Sequence, residues 1–549
     1  MVVLGICGPE RDAASALVVD GALVAAMTEE ACVRTGRAGY AREGFPFASV
    51  VACLQRAGVT ARDVQRVVWC DQDGHTPPRD AGTSWMAPLR RRNSAGIIDL
   101  ADATAMRVGR LHAHASQLRA TSATAGPIVI LDVEGRAQAA VFERSGHGVA
   151  VVRAIDHFSR VVQELNRSAV ALGMTGDALT GLEGLASDGQ PVYASALGRG
   201  LWYEPGAGIE RDGRILATVY ADANADAGGR LAQRAPLHMQ ARTTRANLAA
   251  SVIALFGGIA CDIATDVAEA HSVETIGVGG SLFAHHEMVE QIETSLGGRV
   301  HVTPIPAATG LAFGAAVAGT AEAPVALPFG LSVGAQFSEA DVKAALDAAH
   351  LDYVYEPAWD RVNARASRLL ARGKLVAWFQ GAMDFGGRSL GGRSILCDPS
   401  GRYARENVNG YLKHREDDLP PPLVMTADVA RECLEQARCS PFGLSSAVVR
   451  AEFRAQLQAG ITESGRCRVQ TLHEDRAGRL RDLLTLHRTR TGVPALLQVD
   501  LCGPDEPVAC TPRDALRTTY SSPIDALFIE RFVLMKDYWL LRSADDEDR

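Results

Sequence analysis

The chain opens with two short apolar runs, VVLGIC and ALVVDGALVAA, separated by the polar turn GPERDAAS. Within the second run, Asp20-Gly21 sits between apolar stretches and predicts a β-hairpin, since both residue types accept the positive φ of a two-residue turn. FPFASVVACLQRAGV (45–59) places Val50, Val51, Leu54 and Ala57 at helical spacing, with Gly58 as C-cap, and VQRVVWC (64–70) reads as a buried strand. PIVILDVEG (127–135) is a second apolar strand, and it ends on Asp132, which brings a carboxylate to a strand's C-terminal edge. Between 241 and 317 the pattern runs helix, strand (TIGVGG), helix, strand (VHVTPIP) and a small-residue helix (ATGLAFGAAVAG). That alternation belongs to a layered α/β domain. Pro and Gly in TAEAPVALPFGLSVGAQ (320–336) predict a linker, followed by a last unit with its own strands and helices over 337–542. No repeat of fixed period stands out.

Composition narrows this picture. With 549 residues, 47% hydrophobic and 22% charged, the chain is globular and long enough for two to four domains. Its 56 basic residues against 64 acidic ones give a net charge of −8, which argues against nucleic-acid and anionic-membrane partners. Eleven cysteines, odd in number and without a CxxC pair, predict reduced thiols in a cytoplasmic protein. The N-terminus meets Arg11 and Asp12 too early for a signal peptide. The longest apolar stretch, Leu248 to Cys261, is shorter than the roughly 20 residues a membrane span needs, so no membrane partner is expected.

Candidate chemistry concentrates in WFQGAMDFGGRSLGGRSILCDPSGRYARENVNGYLKHRE, residues 378–416. Four glycines bracket Arg388 and Arg393, and Lys413 and Arg415 follow. Glycines let backbone N–H groups approach an anion, and guanidinium forks match phosphate or carboxylate oxygens two at a time. The segment therefore predicts a small-phosphate site; a surface loop of solvated charges is the alternative.

This stretch resembles the C-terminal signature of the NodU/CmcH-type O-carbamoyltransferases, roughly FQGRxEFGPRALGxRSILxDPR followed by Asn and K-x-R-E. Other segments match in the family's order: DAASALVVDGALVAAMTEE, FPFASVVACLQRAGV, RVQT at 468–471, TGVPALL at 491–497 and DEPVACTPRDALR at 505–517. The resemblance implies an α/β chain of two parts. Residues 1–336 resemble the actin-like, two-lobed ASKHA-type domain of the tRNA-threonylcarbamoyl transferase, and 337–549 resemble the YrdC carbamoyl-adenylate-forming domain. The implied reaction uses ATP and carbamoyl phosphate to form a carbamoyl adenylate. The carbamoyl group then passes to a hydroxyl of a sugar or natural product, with a divalent metal, Fe or Mg, assisting.

On this resemblance Arg388, Arg393, Lys413, Arg415 and Arg468 hold carbamoyl phosphate or the adenylate. Gly279, Gly280 and Gly310 contact nucleotide, and His114 and Asp132 are catalytic metal ligands. The implied partners are an acceptor alcohol and a second subunit, either a copy of this chain or a related carbamoyltransferase.

Departures from the family pattern fall where the chemistry should be. A histidine expected four residues before His114 is Arg110, and an expected aspartate is Ala308. An expected lysine is Gly181, and Asp188 stands where an aromatic is usual. The NTSFN-type motif reads QVDLCGPDEP, with Gln498, Asp500 and Cys502. These losses motivate a second reading, a catalytically degenerate homologue serving as a structural or regulatory partner of an active copy. Each singled-out residue also has a plain structural role: His114 as an interior histidine, Asp132 as a turn cap, the glycines for helix–strand packing, and Lys413 and Arg415 on a solvated helix face.

Overall fold

The computed structural model describes residues 1–39, 45–71, 79–80, 90–93, 96–100, 102–122, 126–146, 148–174, 178–187, 189–225, 242–320, 331–386, 388–415, 419–437, 439–473 and 478–536. Asp188, most of the expected linker and the acidic tail lie outside them. Two compact units emerge. One gathers Met1–Val67, Thr83–Thr104 and Ala326–Arg549, and the other gathers Val68–Gly82 and Ala105–Val325. The division expected at 336/337 falls inside the first unit, in which the N-terminal residues join the C-terminal stretch.

That unit begins with an antiparallel meander of β1 (Val2–Cys7), β2 (Ala14–Val19) and β3 (Ala22–Thr28). Asp20 and Gly21 join β2 to β3 with φ of 47° and 78°, as the hairpin reading requires. Helix α1 (Phe47–Ala57) follows, ended by Gly58 at φ 67°. Hydrogen bonds fasten this start to the later chain: Ala26 N–H donates to the Val333 carbonyl at 3.2 Å, and the Arg34 side chain donates from Nη1 to the Val508 carbonyl at 2.6 Å.

The second unit is built on a mixed sheet. Its strands β4 (Ile128–Asp132), β5 (Gln138–Ser145), β6 (Gly148–Ala154), β7 (Ile276–Gly279) and β8 (Val300–Val302) lie in the order β6-β5-β4-β7-β8. β4, β5 and β6 pair antiparallel, whereas β7 lies parallel to β4 and β8 parallel to β7. The helices of this unit include α2 (Arg110–Thr121), α3 (Arg242–Ala270) and α4 (Gly310–Ala318). Helix α2 seats Leu111, Ala115 and Leu118 on Ile128, Ile130, Ala140 and Phe142. α4 crosses α2 so closely that a Cβ on Gly314 would lie 1.9 Å from the Ala113 carbonyl oxygen.

One expectation is corrected here. The apolar run 248–261 is the centre of the 29-residue α3, which is long and apolar enough to cross a membrane by length and composition. Its most apolar window is 72% buried within the protein, which makes it a core helix by packing.

The C-terminal stretch carries a nine-stranded sheet: β9 (Val354–Tyr355), β10 (Val376–Phe379), β11 (Arg393–Cys397), β12 (Leu423–Thr426), β13 (Ser445–Val448), β14 (Arg466–Leu472), β15 (Leu496–Asp500), β16 (Ala526–Ile529) and β17 (Phe532–Met535). The order is β9-β17-β16-β10-β11-β15-β12-β14-β13. Alternation along β10 shows why VAWF is apolar throughout. Val376 and Trp378 face a core with helices α5 (Trp359–Ala371) and α6 (Arg479–Thr491), while Ala377 and Phe379 face a core on the opposite side.

Candidate functional site

In the second unit, β4 and β7 run parallel and end side by side, with Gly279 paired to Ile130. The carboxyl ends of parallel strands are where open α/β sheets present their ligand-binding loops. Asp132 closes β4, and Gly280 and Ser281 follow β7. Gly280 has φ 100°, and a Cβ there would meet the Leu131 carbonyl at 2.4 Å, so this turn requires glycine. The turn brings Ser281 Oγ to donate to Asp132 Oδ1 at 2.6 Å. From α2, Arg110 Nε donates to Asp132 Oδ2 at 2.7 Å, and its Nη2 donates to Asp132 Oδ1 and to Glu134 Oε2, both at 3.2 Å.

Asp132 is 2% exposed and Arg110 7%. Burial raises the Asp132 pKa, but Arg110, His114 and the hydrogen bonds from Arg110 and Ser281 prevail and hold it below its ordinary value. Arg110 is shifted the other way: burial lowers its pKa, yet the attraction and hydrogen bond of Asp132 leave it raised. His114 is fully buried beside this pair, and neither ring nitrogen has a hydrogen-bond partner among the described residues. Burial lowers its pKa to about 4 against the opposing pull of Asp132, so the ring is neutral.

His114 and Asp132 thus come together as the sequence reading expected, but they do not fit a divalent ion. Both carboxylate oxygens are engaged by donors, and the nearest charge is a guanidinium that would repel a cation. Among the described residues no cluster of three or more His, Cys, Asp and Glu side chains is arranged to hold a metal. The three glycines assigned to nucleotide each have a packing reason. A Cβ on Gly279 would meet Leu118 at 2.8 Å, one on Gly280 would meet Leu131, and one on Gly310 would meet the Ile305 carbonyl at 2.2 Å.

In the first unit, the Gly-Arg stretch forms the turn between β10 and β11. Arg393 is fully buried. Its Nη1 donates to the carbonyls of Gln380, Gly381 and Gly392 at 3.2, 3.1 and 2.8 Å, its Nη2 donates to that of Ala335 at 3.0 Å, and the guanidinium lies 3.4 Å from the Phe379 ring centroid. Desolvation draws its pKa down to about 10. Lys413 is also buried, with Nζ donating to the carbonyls of Asp500 and Cys502 at 2.7 and 2.8 Å. Arg468 donates to the Pro420 carbonyl at 2.7 Å. These three cations fix backbone. Arg388 donates to the Gly443 carbonyl at 2.8 Å and lines a narrow cleft with Glu30 and Ser389, and Arg415 is exposed.

Across the same turn lies a cavity of about 430 Å³. Gly391 and Gly392 form one edge, and Trp378, Gln380, Asp384, Gln470, Arg479 and Arg481 contribute side chains. Asp384 braces the edge, accepting from Leu390 N–H at 2.9 Å and Gly392 N–H at 2.8 Å. Gly478, Arg479 and Arg481 belong to the N-cap and first turn of α6, where the helix dipole favours negative charge. Arg479 is positioned by Glu530, by Gln380 Oε1 at 3.1 Å and by the Trp359 ring 3.5 Å away. Sequence reasoning missed this pair: RLR opens a helix 86 residues after the Gly-Arg turn, and only strand order brings the two together.

Residues 367–536 match the family described as Carbamoyltransferase C-terminus. The nodulation protein NolNO of Sinorhizobium fredii is 31% identical over 192 residues, covering 34% of this chain and 28% of that protein. The 3'-hydroxymethylcephem-O-carbamoyltransferase of Amycolatopsis lactamdurans is 32% identical over 136 residues, 25% of each chain. An uncharacterized Synechocystis protein is 30% identical over 239 residues, 40% of this chain and 39% of its own length. The matches therefore span well under half of these relatives. Among solved structures, the activator of a 2-hydroxyisocaproyl-CoA dehydratase from Clostridium difficile covers 58% of this chain and 93% of its own at 13% identity and a TM-score of 0.32, too slight a likeness to bear on the fold.

Proposed function

We propose that the chain is an O-carbamoyltransferase of the NodU/CmcH type, a reading supported by the match of residues 367–536 to the Carbamoyltransferase C-terminus family and by the relatives named above. Carbamoyl phosphate is hydrolysed to carbamate and inorganic phosphate, the carbamate attacks the α-phosphorus of ATP to form a carbamoyl adenylate with release of pyrophosphate, and the carbamoyl group passes to a hydroxyl of a sugar or natural product with release of AMP and the hydroxyl proton. The observation that carries this reading is the cavity in the matched domain: a glycine edge, a helix N-terminus and two arginines, sized for a small ligand. In this reading Arg479 and Arg481 hold the anionic co-substrate. Arg393, Lys413 and Arg468 act by shaping the backbone around it, and Arg388 and Arg415 supply positive potential to the cleft and surface nearby.

We assign residues 1–336 to an actin-like carbamoyl-transfer part and 337–549 to a YrdC-like adenylate-forming part. The first assignment is supported by the sheet in which an antiparallel meander, β4 to β6, continues into the parallel strands β7 and β8.

Calorimetric titration of the full chain tests the site. Carbamoyl phosphate should bind the wild-type protein, and Arg481→Glu should weaken that binding by roughly tenfold to a hundredfold, the value of a charge-assisted hydrogen bond. Unchanged binding in the variant would place the co-substrate elsewhere, and absence of binding to the wild type would remove the proposal.

A further inference from the structure

We propose that Arg110 is the resident cation of the Asp132 site: its guanidinium occupies the carboxylate that a divalent ion would require, and its remaining N–H groups take an anionic or carbonyl oxygen of the substrate. The pairing engages both oxygens of Asp132, at 2.7 and 3.2 Å, and Ser281 Oγ adds a third donor at 2.6 Å. Glu134 accepts from the same Nη2, so two carboxylates converge on one guanidinium. Arg110 is buried to 7% exposure, yet Nη1 donates no hydrogen bond among the described residues. A fork donor that is charged, held from one side and left with open N–H bonds suits an oxygen that gains charge during reaction. The ligand class that follows is an oxyanion or polarised carbonyl. Under the carbamoyl-transfer reading, on which this step rests, that oxygen is the carbamoyl oxygen.

The spacing of Arg110 and His114 makes the idea testable in the gain direction. Residues i and i+4 share a helix face, so Arg110→His would set two imidazoles beside a freed carboxylate. Visible absorption of added Co²⁺ on the full chain reads the result without any turnover. The wild type should show no protein-bound Co²⁺ spectrum at this site, identical to Asp132→Asn. Arg110→His should bind one Co²⁺ per chain and lose it when Asp132→Asn is added. If the histidine variant does not fold, the comparison of wild type with Asp132→Asn still decides, together with Arg110→Ala, whose lost thermal stability methylguanidine should restore. A wild-type Co²⁺ spectrum abolished by Asp132→Asn would overturn the proposal, whatever the fate of carbamoyl transfer. So would failure of methylguanidine to act on a folded Arg110→Ala.

Discussion

Arginine 393 shows how a residue type chosen for anion chemistry can serve a different end. Its guanidinium, fully buried, donates to four backbone carbonyls, three in the turn between β10 and β11 and one at Ala335, and so ties that turn to the chain before it. Arg393→Met keeps most of the volume and removes those donors. It should destabilise the protein by about 3 kcal/mol in urea unfolding, and a Lys substitution should recover only part of that, because one ammonium cannot match the fork.

His114 supplies a pH-dependent counterpart. Its pKa is about 4 in the fold against 6.5 ordinarily, so the unfolded chain binds the proton more readily. The stability this ring contributes is complete above pH 6.5 and is lost as pH falls toward 4, about 3 kcal/mol over that window. Arg110 and Asp132, which face the ring from α2 and β4, keep opposite charges throughout this range. Unfolding free energies measured from pH 7 to 4 should therefore fall more steeply for the wild type than for His114→Leu.

At the scale of elements, close approach decides which glycines matter. Gly314→Ala would force α4 away from the Ala113 carbonyl in α2, and overpacking of this kind costs about 1–3 kcal/mol. Gly258 lies within α3 with nothing inside 4 Å of an added Cβ, so Gly258→Ala should stabilise by about 0.5–1 kcal/mol. Thermal melts of the two variants should move in opposite directions. Local pattern predicted what is local: the Asp20-Gly21 hairpin, the amphipathic α1 with its Gly58 cap, and the strand that delivers Asp132. It did not predict the cavity, because Arg479 and Arg481 reach the glycine edge only through a sheet that places β10 beside β11 and sets α6 over one face. Nor did periodicity show that Arg393 and Lys413 are buried. Their spacing fits a solvated loop equally well, and only the positions of carbonyls from Ala335, Asp500 and Cys502 decide.

For the whole molecule, a net charge of −8 says little about the chemistry. The charges that matter are few and local: a guanidinium paired to a carboxylate at the end of β4, and two arginines at the start of α6. If the chain activates carbamoyl phosphate, adenylate formation must be reversible on the protein even without an acceptor alcohol. Exchange of labelled pyrophosphate into ATP is therefore the most direct measurement. The account predicts exchange that requires carbamoyl phosphate and falls sharply in Arg481→Glu. Protein that binds ATP and carbamoyl phosphate yet shows no exchange, or exchange indifferent to carbamoyl phosphate, would contradict it.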